Sequence, residues 1–76
     1  MVELILVKVA PIGRAVTEVM IPINSTVDVA MAAAVSAGVR VDGYDDLRRN
    51  GKPASGRDIV NDKDIITLIP AIRGGN

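Results

Sequence analysis

The 76-residue sequence predicts an α+β domain in which one helix packs on a four- to five-stranded mixed sheet. Three observations predict it. Short β-branched and aliphatic runs occur in both halves of the chain, one Ala-rich segment of helical periodicity lies between them, and turn residues separate these segments. One helix covering one face of a small sheet buries its apolar stripe efficiently, which favours this layered arrangement.

The first part of the chain predicts two strands joined by a short turn. Val2 to Val9 is rich in β-branched and aliphatic residues, and Arg14 to Ile23 ends in alternating apolar and polar side chains. Between them, Ala10-Pro11-Ile12-Gly13 carries turn chemistry. Because the link is short, we expect the two strands to form an antiparallel hairpin.

A single helix is predicted from Val27 to Ala37. Asn24-Ser25-Thr26 supplies N-cap side chains, and Asp28 places negative charge in the first turn, where the helix dipole favours it. Gly38 is a suitable stop, because glycine readily adopts the left-handed conformation found at helix ends. The face expected to pack on the sheet carries Val27, Met31, Ala34 and Val35.

The segment after the helix predicts a short strand and a tight turn. Gly43 to Asp46 is interpreted as a loop, and Leu47 to Arg49 as the short strand. Asn50-Gly51 is a strong signal for a two-residue hairpin turn. Lys52 to Gly56 is expected to be irregular or at an edge, because Pro53 cannot donate to a strand ladder.

The last strand is predicted from Ile65 to Ile69, after a polar turn over Asn61-Asp62-Lys63-Asp64. It is aliphatic at both parities, as expected of a central strand. The crossover rule leads us to expect the first strand after the helix to run parallel to an earlier one. Strand, strand, helix, short strand and strand is the element order of a β-grasp domain, which we assign to residues 1–72.

Composition excludes several classes of function. The chain has no His and no Cys, so it lacks the residues for a nucleophile–base pair, and no enzymatic activity or catalytic residue is predicted. Zero net charge and Tyr44 as the sole aromatic residue disfavour nucleic acid. No metal site is predicted. No apolar run is long enough for a membrane span and no signal peptide is visible, so we expect a cytoplasmic protein without membrane partners.

Residues 73–76 read Arg-Gly-Gly-Asn, and we expect them to form a flexible tail. A glycine pair has no side chains, so it can enter a narrow channel that any Cβ would block. On this interpretation the domain presents Gly74 and Gly75 to a partner's active site. The alternative is an ordinary frayed terminus. We expect backbone order parameters below about 0.6 for both glycines.

The last third of the chain carries a more specific pattern. Asn50-Gly51-Lys52-Pro53 is followed by the polar turn, the final strand with Pro70, and then Ala71 to Gly75. This pattern resembles ubiquitin-like proteins of the prokaryotic sulfur-carrier type, a group that includes the thiamin and molybdopterin sulfur carriers and small archaeal modifiers. Lys63-Asp64 stands where Gly-Asp is common in that group, which is a mild departure.

The resemblance implies that an activating enzyme adenylates the carboxylate of Gly75. Gly74 and Gly75 would be the activated residues, and Arg73, similar to the tail of ubiquitin, the last side chain recognised. Transfer would follow as an isopeptide to target proteins or as a thiocarboxylate. The chain itself would need no cofactor, since the ATP is used by the partner enzyme.

Asn76 departs from the pattern, because it ties up the Gly75 carboxylate in a peptide bond. Either a processing protease removes Asn76, or the protein is never activated, or Asn76 is foreign to the natural chain. The competing hypothesis is therefore a non-conjugated β-grasp binding module, or a subunit of a larger complex. Gly74-Gly75 favours the carrier or modifier, and Asn76 favours the binding module.

An apolar partner-binding surface is also predicted. Leu4-Ile5-Leu6-Val7 is apolar at both parities, which fits either a central strand covered by its neighbours or a patch on the open sheet face. Basic residues around the Asn50 turn are interpreted as a solvated edge, with a local basic patch as the alternative. The apolar surface comprises Leu4, Leu6, Met20 and whichever of Ile66 or Leu68 faces outward.

Overall fold

The computed structural model describes residues 3–41 and 43–70, and it confirms an α+β architecture with one helix on a five-stranded mixed sheet. The strands and helix follow one another as predicted. In chain order they are β1 (Leu4–Pro11), β2 (Thr17–Pro22), α1 (Val27–Ser36), β3 (Tyr44–Arg49), β4 (Lys52–Pro53) and β5 (Asp64–Pro70).

The strand order across the sheet is β2-β1-β5-β3-β4, so β5 is central, as its aliphatic composition predicts. The antiparallel hairpin of β1 and β2 is confirmed. β3 pairs antiparallel with β5, and β5 pairs parallel with β1, so β3 runs in the same direction as β2. The expectation that the strand after the helix runs parallel to an earlier one is confirmed, although β2 and β3 are not neighbours in the sheet. The Asn50-Gly51 turn connects β3 to β4, which lies at the edge of the sheet. The chain then continues to β5, the strand that pairs with β1.

Several boundaries differ from the sequence-based expectation. β1 continues through Pro11, which was assigned to the turn, because the carbonyl of Leu68 accepts a hydrogen bond from the next residue, Ile12, at 3.0 Å. β2 begins only at Thr17. β3 begins at Tyr44, so most of the predicted 43–46 loop is strand, with an irregularity in its pairing to β5 between Tyr44 and Asp46. Four charged residues in β3 conceal the strand pattern; one is exposed and three are half-buried.

The core lies between α1 and one face of the sheet. β1 contributes Ile5, Val7 and Val9, the alternate residues of one parity. The helix contacts them through small and aliphatic residues at helical spacing. The predicted helix face is corrected at one position: Val35 is exposed and Ala30 is buried in its place. The buried helix residues are Val27, Ala30, Met31 and Ala34.

Both ends of α1 have satisfied backbone groups. At the start, the N–H groups of Val27 and Asp28 donate to the carbonyls of Asp58 and Gly56, at 2.9 and 3.0 Å. Thr26 is the N-cap residue. These bonds occupy donors that a helix cannot satisfy internally. They also tie the loop before β5 to the helix.

At the other end of α1, Gly38 has a φ of +95° and closes a Schellman motif. Its N–H donates to the carbonyl of Val35, and the N–H of Val39 donates to that of Ala34, both at 2.9 Å. Val39 then packs against the core. The helix stop predicted at this glycine is confirmed.

Candidate functional site

The face of the sheet opposite α1 carries exposed apolar side chains from three adjacent strands. Leu6 of β1 lies directly opposite Met20 of β2, and Leu4 precedes it on the same face. Ile65 is the first outward residue of β5, and it lies opposite Lys8 of β1. Leu4, Met20 and Ile65 are exposed, and Leu6 is half-buried. We call these four residues the open-face patch.

Two residues assigned to this surface from sequence lie elsewhere. Ile66 and Leu68 are buried under α1, at 0% and 2% exposure, so neither can contact a partner on the open face. They share the parity of Asp64, and that parity faces the helix. The outward parity of β5 carries Ile65, Thr67 and Ile69.

Sequence reasoning missed Ile65, although a signal was present. Thr67 is the single polar residue of the predicted strand Ile65 to Ile69, and in a sheet covered on one face a polar residue at mid-strand marks the solvent parity. Ile65 shares that parity. The position of Thr67 would therefore have selected Ile65 in place of Ile66 or Leu68.

Charged and polar pairs border the open-face patch. Lys8 lies directly opposite Glu18 across β1 and β2, on the outward face. On the far side of β5, Arg48 and Asp46 form an ion pair with 3.0 Å between Nε and Oδ2. The open face is therefore apolar over the start of β1, the end of β2 and the start of β5, and these polar pairs flank that region; Ile69, half-buried, lies further along β5. A restricted apolar patch with a polar rim is typical of protein interaction surfaces.

The turn before β5 is fastened to the strand that carries the patch. The Asp62 carboxylate accepts a hydrogen bond from the N–H of Leu6 at 2.8 Å, and the N–H of Lys63 donates to the Leu6 carbonyl at 2.6 Å. Lys63 has a φ of +69°, an uncommon conformation for a non-glycine residue. These bonds fix the start of β5, and with it Ile65, which lies opposite Lys8, the next outward residue after Leu6.

Asp64 anchors β5 from the covered side. Its side chain is buried and accepts hydrogen bonds from the N–H of Asn61 at 2.7 Å, the Asn50 amide at 2.9 Å and the Arg49 guanidinium at 3.0 Å. Burial alone would raise the pKa of the Asp64 carboxyl, but these hydrogen bonds and the Arg49 charge outweigh it and hold the pKa below its usual value. The carboxylate is a structural group with all its contacts inside the domain.

The Asn50-Gly51 turn joins the same network. Both residues have positive φ, +54° and +83°, which is the pattern of a type I′ turn and agrees with the two-residue hairpin turn predicted from the sequence. The Asn50 side chain accepts from the N–H of Ile65 at 2.9 Å while its amide donates to Asp64. One side chain therefore positions both the inward and the outward residue at the start of β5.

The basic residues around this turn do not form a uniform patch. Arg48 is paired with Asp46 and Arg49 with Asp64. Lys52 and Arg57 are exposed and have no such partner in the part of the chain that the structure describes. The arrangement fits the predicted solvated edge.

The predicted activation and tail residues, Arg73, Gly74, Gly75 and Asn76, lie outside the described residues, as does the expectation of a flexible tail. The structure describes the chain as far as Pro70, the last residue of β5. Within residues 3–41 and 43–70, no cluster of side chains suited to hold a metal ion was found. The same ranges contain no helix whose length and apolar character would let it cross a bilayer.

No protein-family model matches this chain, and no curated protein matches it in sequence.

Proposed function

We propose that this protein is a β-grasp, ubiquitin-like carrier or modifier whose Gly74-Gly75 is exposed by cleavage after Gly75. An activating enzyme then adenylates Gly75, which is transferred as an isopeptide or a thiocarboxylate. The observation that carries the proposal is the central position of β5 in a sheet of order β2-β1-β5-β3-β4. Three residues separate its last residue, Pro70, from Gly74 in the sequence.

The length of chain between the last strand and Gly75 supports this proposal. The five residues from Ala71 to Gly75, when drawn out fully, span at most about 17 Å. That length brings Gly75 into a partner's active site while the folded domain stays outside. Glycine at both positions lets the partner close around bare backbone. Because the chain has neither His nor Cys, the partner supplies the catalytic groups.

The chemistry requires a free carboxylate at Gly75. A carboxylate oxygen of Gly75 attacks the α-phosphorus of ATP, and pyrophosphate leaves. A sulfur donor or a target lysine amine then attacks the acyl carbon and releases AMP. The amide that joins Gly75 to Asn76 cannot enter the first step, so a processing protease must act before the activating enzyme.

The open-face patch supports a partner that contacts the domain as well as the glycines. Exposed apolar residues grouped on adjacent strands are most simply explained by a protein that covers them. The same patch is the observation that favours the second candidate, a non-conjugated binding module or complex subunit. That alternative has no chemical need for Gly74-Gly75.

The test compares the chain ending at Gly75 with the chain ending at Asn76. Each is incubated with ATP and each adenylating enzyme encoded in the source genome, and pyrophosphate release is followed. We expect release with the first chain and none with the second. Asn76→Ala in the longer chain is the matched control, and it should stay inert because the block is the peptide bond.

Gly75→Ala in the shorter chain should reduce release at least about 100-fold, because a methyl group displaces the reacting carbonyl within a closed channel. If the Gly75-ended chain is inert with every such enzyme, or Gly75→Ala leaves it fully active, the binding-module function replaces this one.

A further inference from the structure

A groove of about 400 Å³ lies at the end of the sheet where β5 finishes. It is bounded by the β1–β2 turn, by Arg40 and Gly43 after α1, and by the last residues of β5. A second hollow of about 290 Å³ adjoins it. Pro11, Arg14 and Arg40 line both, so the two form one continuous groove with two guanidinium groups.

The groove is basic at its rim, and the aliphatic side chain that it exposes is Ile12, at 56%. Pro11 and Leu68 are buried beneath it, whereas Arg14 and Arg40 are exposed. Within residues 3–41 and 43–70, neither guanidinium forms an ion pair with a carboxylate, unlike Arg48 and Arg49. Tyr44, at 40% exposure, adds a phenol to the lining.

This chemistry favours one kind of occupant. Guanidinium groups bind carboxylates in a planar, two-pronged geometry. An isolated exposed ion pair contributes little, so a ligand that is only an anion would be held weakly in an open groove. A peptide segment that places a carboxylate beside an aliphatic side chain pairs with the guanidinium groups and also covers Ile12.

We propose that this groove binds an acidic, aliphatic segment of the enzyme that activates Gly75. This inference rests on the proposed function, and it adds a docking site separate from the open-face patch. Pro70 lines the groove, and Gly75 follows it by five residues in the sequence. A partner segment seated here would hold the domain where the chain leaves β5 toward the partner's active site.

The first test is kinetic and uses the Gly75-ended chain as the substrate of its activating enzyme. The double variant Arg14→Gln/Arg40→Gln should raise the KM for the chain about tenfold, because two charge pairs at the interface are lost. The kcat should stay within about twofold, because the reacting atoms at Gly75 are unchanged. The difference in KM between the parent chain and the double variant should become smaller at high salt, because salt screens the charges.

Lys52→Gln/Arg57→Gln is the matched control, since it removes the same charge at the opposite end of the sheet. It should leave KM within about twofold of the parent value. Equal KM increases in the two double variants would overturn the inference in favour of a general charge effect. Thermal melting of each variant establishes that the fold is retained.

The second test needs no enzyme. Amide chemical shifts of Ile12, Gly43 and Tyr44 are followed during titration with a blocked tetrapeptide that alternates leucine with aspartate and glutamate. We expect shifts in the parent chain but none in the arginine double variant. The neutral peptide with asparagine and glutamine should also cause none. No shift with the acidic peptide, or equal shifts with inorganic phosphate at the same concentration, would overturn the inference.

The two tests separate the failure of this inference from the failure of the proposed function. If the parent chain is never adenylated but the acidic peptide still shifts the groove amides, the proposed function fails and the acidic-segment site stands. If adenylation proceeds and the arginine variant keeps the parent KM, the groove inference fails alone.

Discussion

The two faces of β5 carry similar residues in opposite environments. Ile66 is fully buried beneath α1, whereas Ile65, its neighbour in the sequence, is 42% exposed on the open face. One helix covers only one side of the sheet, so the covered side stabilises the fold and the other remains open to a partner. Apolar composition alone therefore does not tell which residues of a central strand have a structural role.

The covered face also holds the one buried charge found among the described residues, the carboxylate of Asp64. Asp64 faces the same side of the sheet as Ile66. Its carboxylate oxygens accept hydrogen bonds from Arg49, Asn50 and Asn61. The inner face of β5 is thus fixed by hydrogen bonds at its start and by packing along its length. The outer face has backbone contacts at its start, but its apolar side chains remain exposed.

The largest expected difference between the faces is in core packing. Ile66→Ala should lower the free energy of unfolding by about 2–5 kcal/mol, because it removes buried methyl groups and leaves a cavity. Ile65→Ala, the matched control one residue away, should change it by less than about 0.5 kcal/mol. Urea unfolding of both variants measures this, and equal losses would contradict the assignment of the two faces.

The next largest effect concerns Asp64. Asp64→Asn should lower the free energy of unfolding by about 2–3 kcal/mol at neutral pH, because the new amide turns an N–H₂ group toward donors. Most of this comes from hydrogen bonds, since Arg49 is partly exposed and its charge is screened. Asp45→Asn, at an exposed position, is the control and should be nearly neutral.

The pH dependence of the Asp64 effect has a definite sign. The pKa of the folded state is lowered, so the stabilisation is present above the unfolded-state pKa of about 4 and is lost as the pH falls through the folded value. The gap between the parent and Asp64→Asn should therefore be full at about pH 7 and narrow on acidification below about pH 4. Urea unfolding across this range measures it, and a gap that widens on acidification would contradict the account.

A smaller effect is expected at Asn50, whose side chain contacts residues on both faces. Asn50→Gly keeps the positive φ without strain and removes the side-chain hydrogen bonds to Asp64 and Ile65, so it should cost about 1–2 kcal/mol. Asn24→Gly is the matched control. Asn24 also has positive φ, +69°, but no side-chain hydrogen bond in the part of the chain that the structure describes. Equal losses in urea unfolding would show that the side-chain bonds of Asn50 contribute nothing.

Most of the fold followed from local signals. Gly38 marked the helix end, Asn50-Gly51 marked the two-residue hairpin turn, and the aliphatic run of β5 marked the central strand. Each signal rests on the backbone or packing preference of a few neighbouring residues, which the sequence displays directly. The start of β3 escaped prediction because its pairing with β5 is set by a partner about 25 residues away.

The candidate site was predicted less completely, for a related reason. Leu4, Leu6 and Met20 were placed on the open face correctly, because β1 and β2 form a local hairpin. Ile65 could have been chosen over Ile66 from the parity of Thr67, but Asp64, the polar residue before Ile65, has the opposite parity and conceals the alternation. Arg14, Arg40 and Tyr44 come from three separate segments, and no sequence pattern indicates that they share a groove.

The claim that the open-face patch docks the enzyme acting on Gly75 is tested most directly by its footprint. The isotopically labelled Gly75-ended chain is mixed with its activating enzyme, and amide line broadening is mapped. Val29 and Val35 on the outer face of α1 provide the comparison, since they are exposed to a similar degree, 42% and 51%. Met20→Ser should weaken binding about fivefold or more, and Val35→Ser should leave it unchanged. We expect broadening at Leu6, Met20 and Ile65 and none at the two helix residues; broadening centred on Val29 and Val35 would contradict the account.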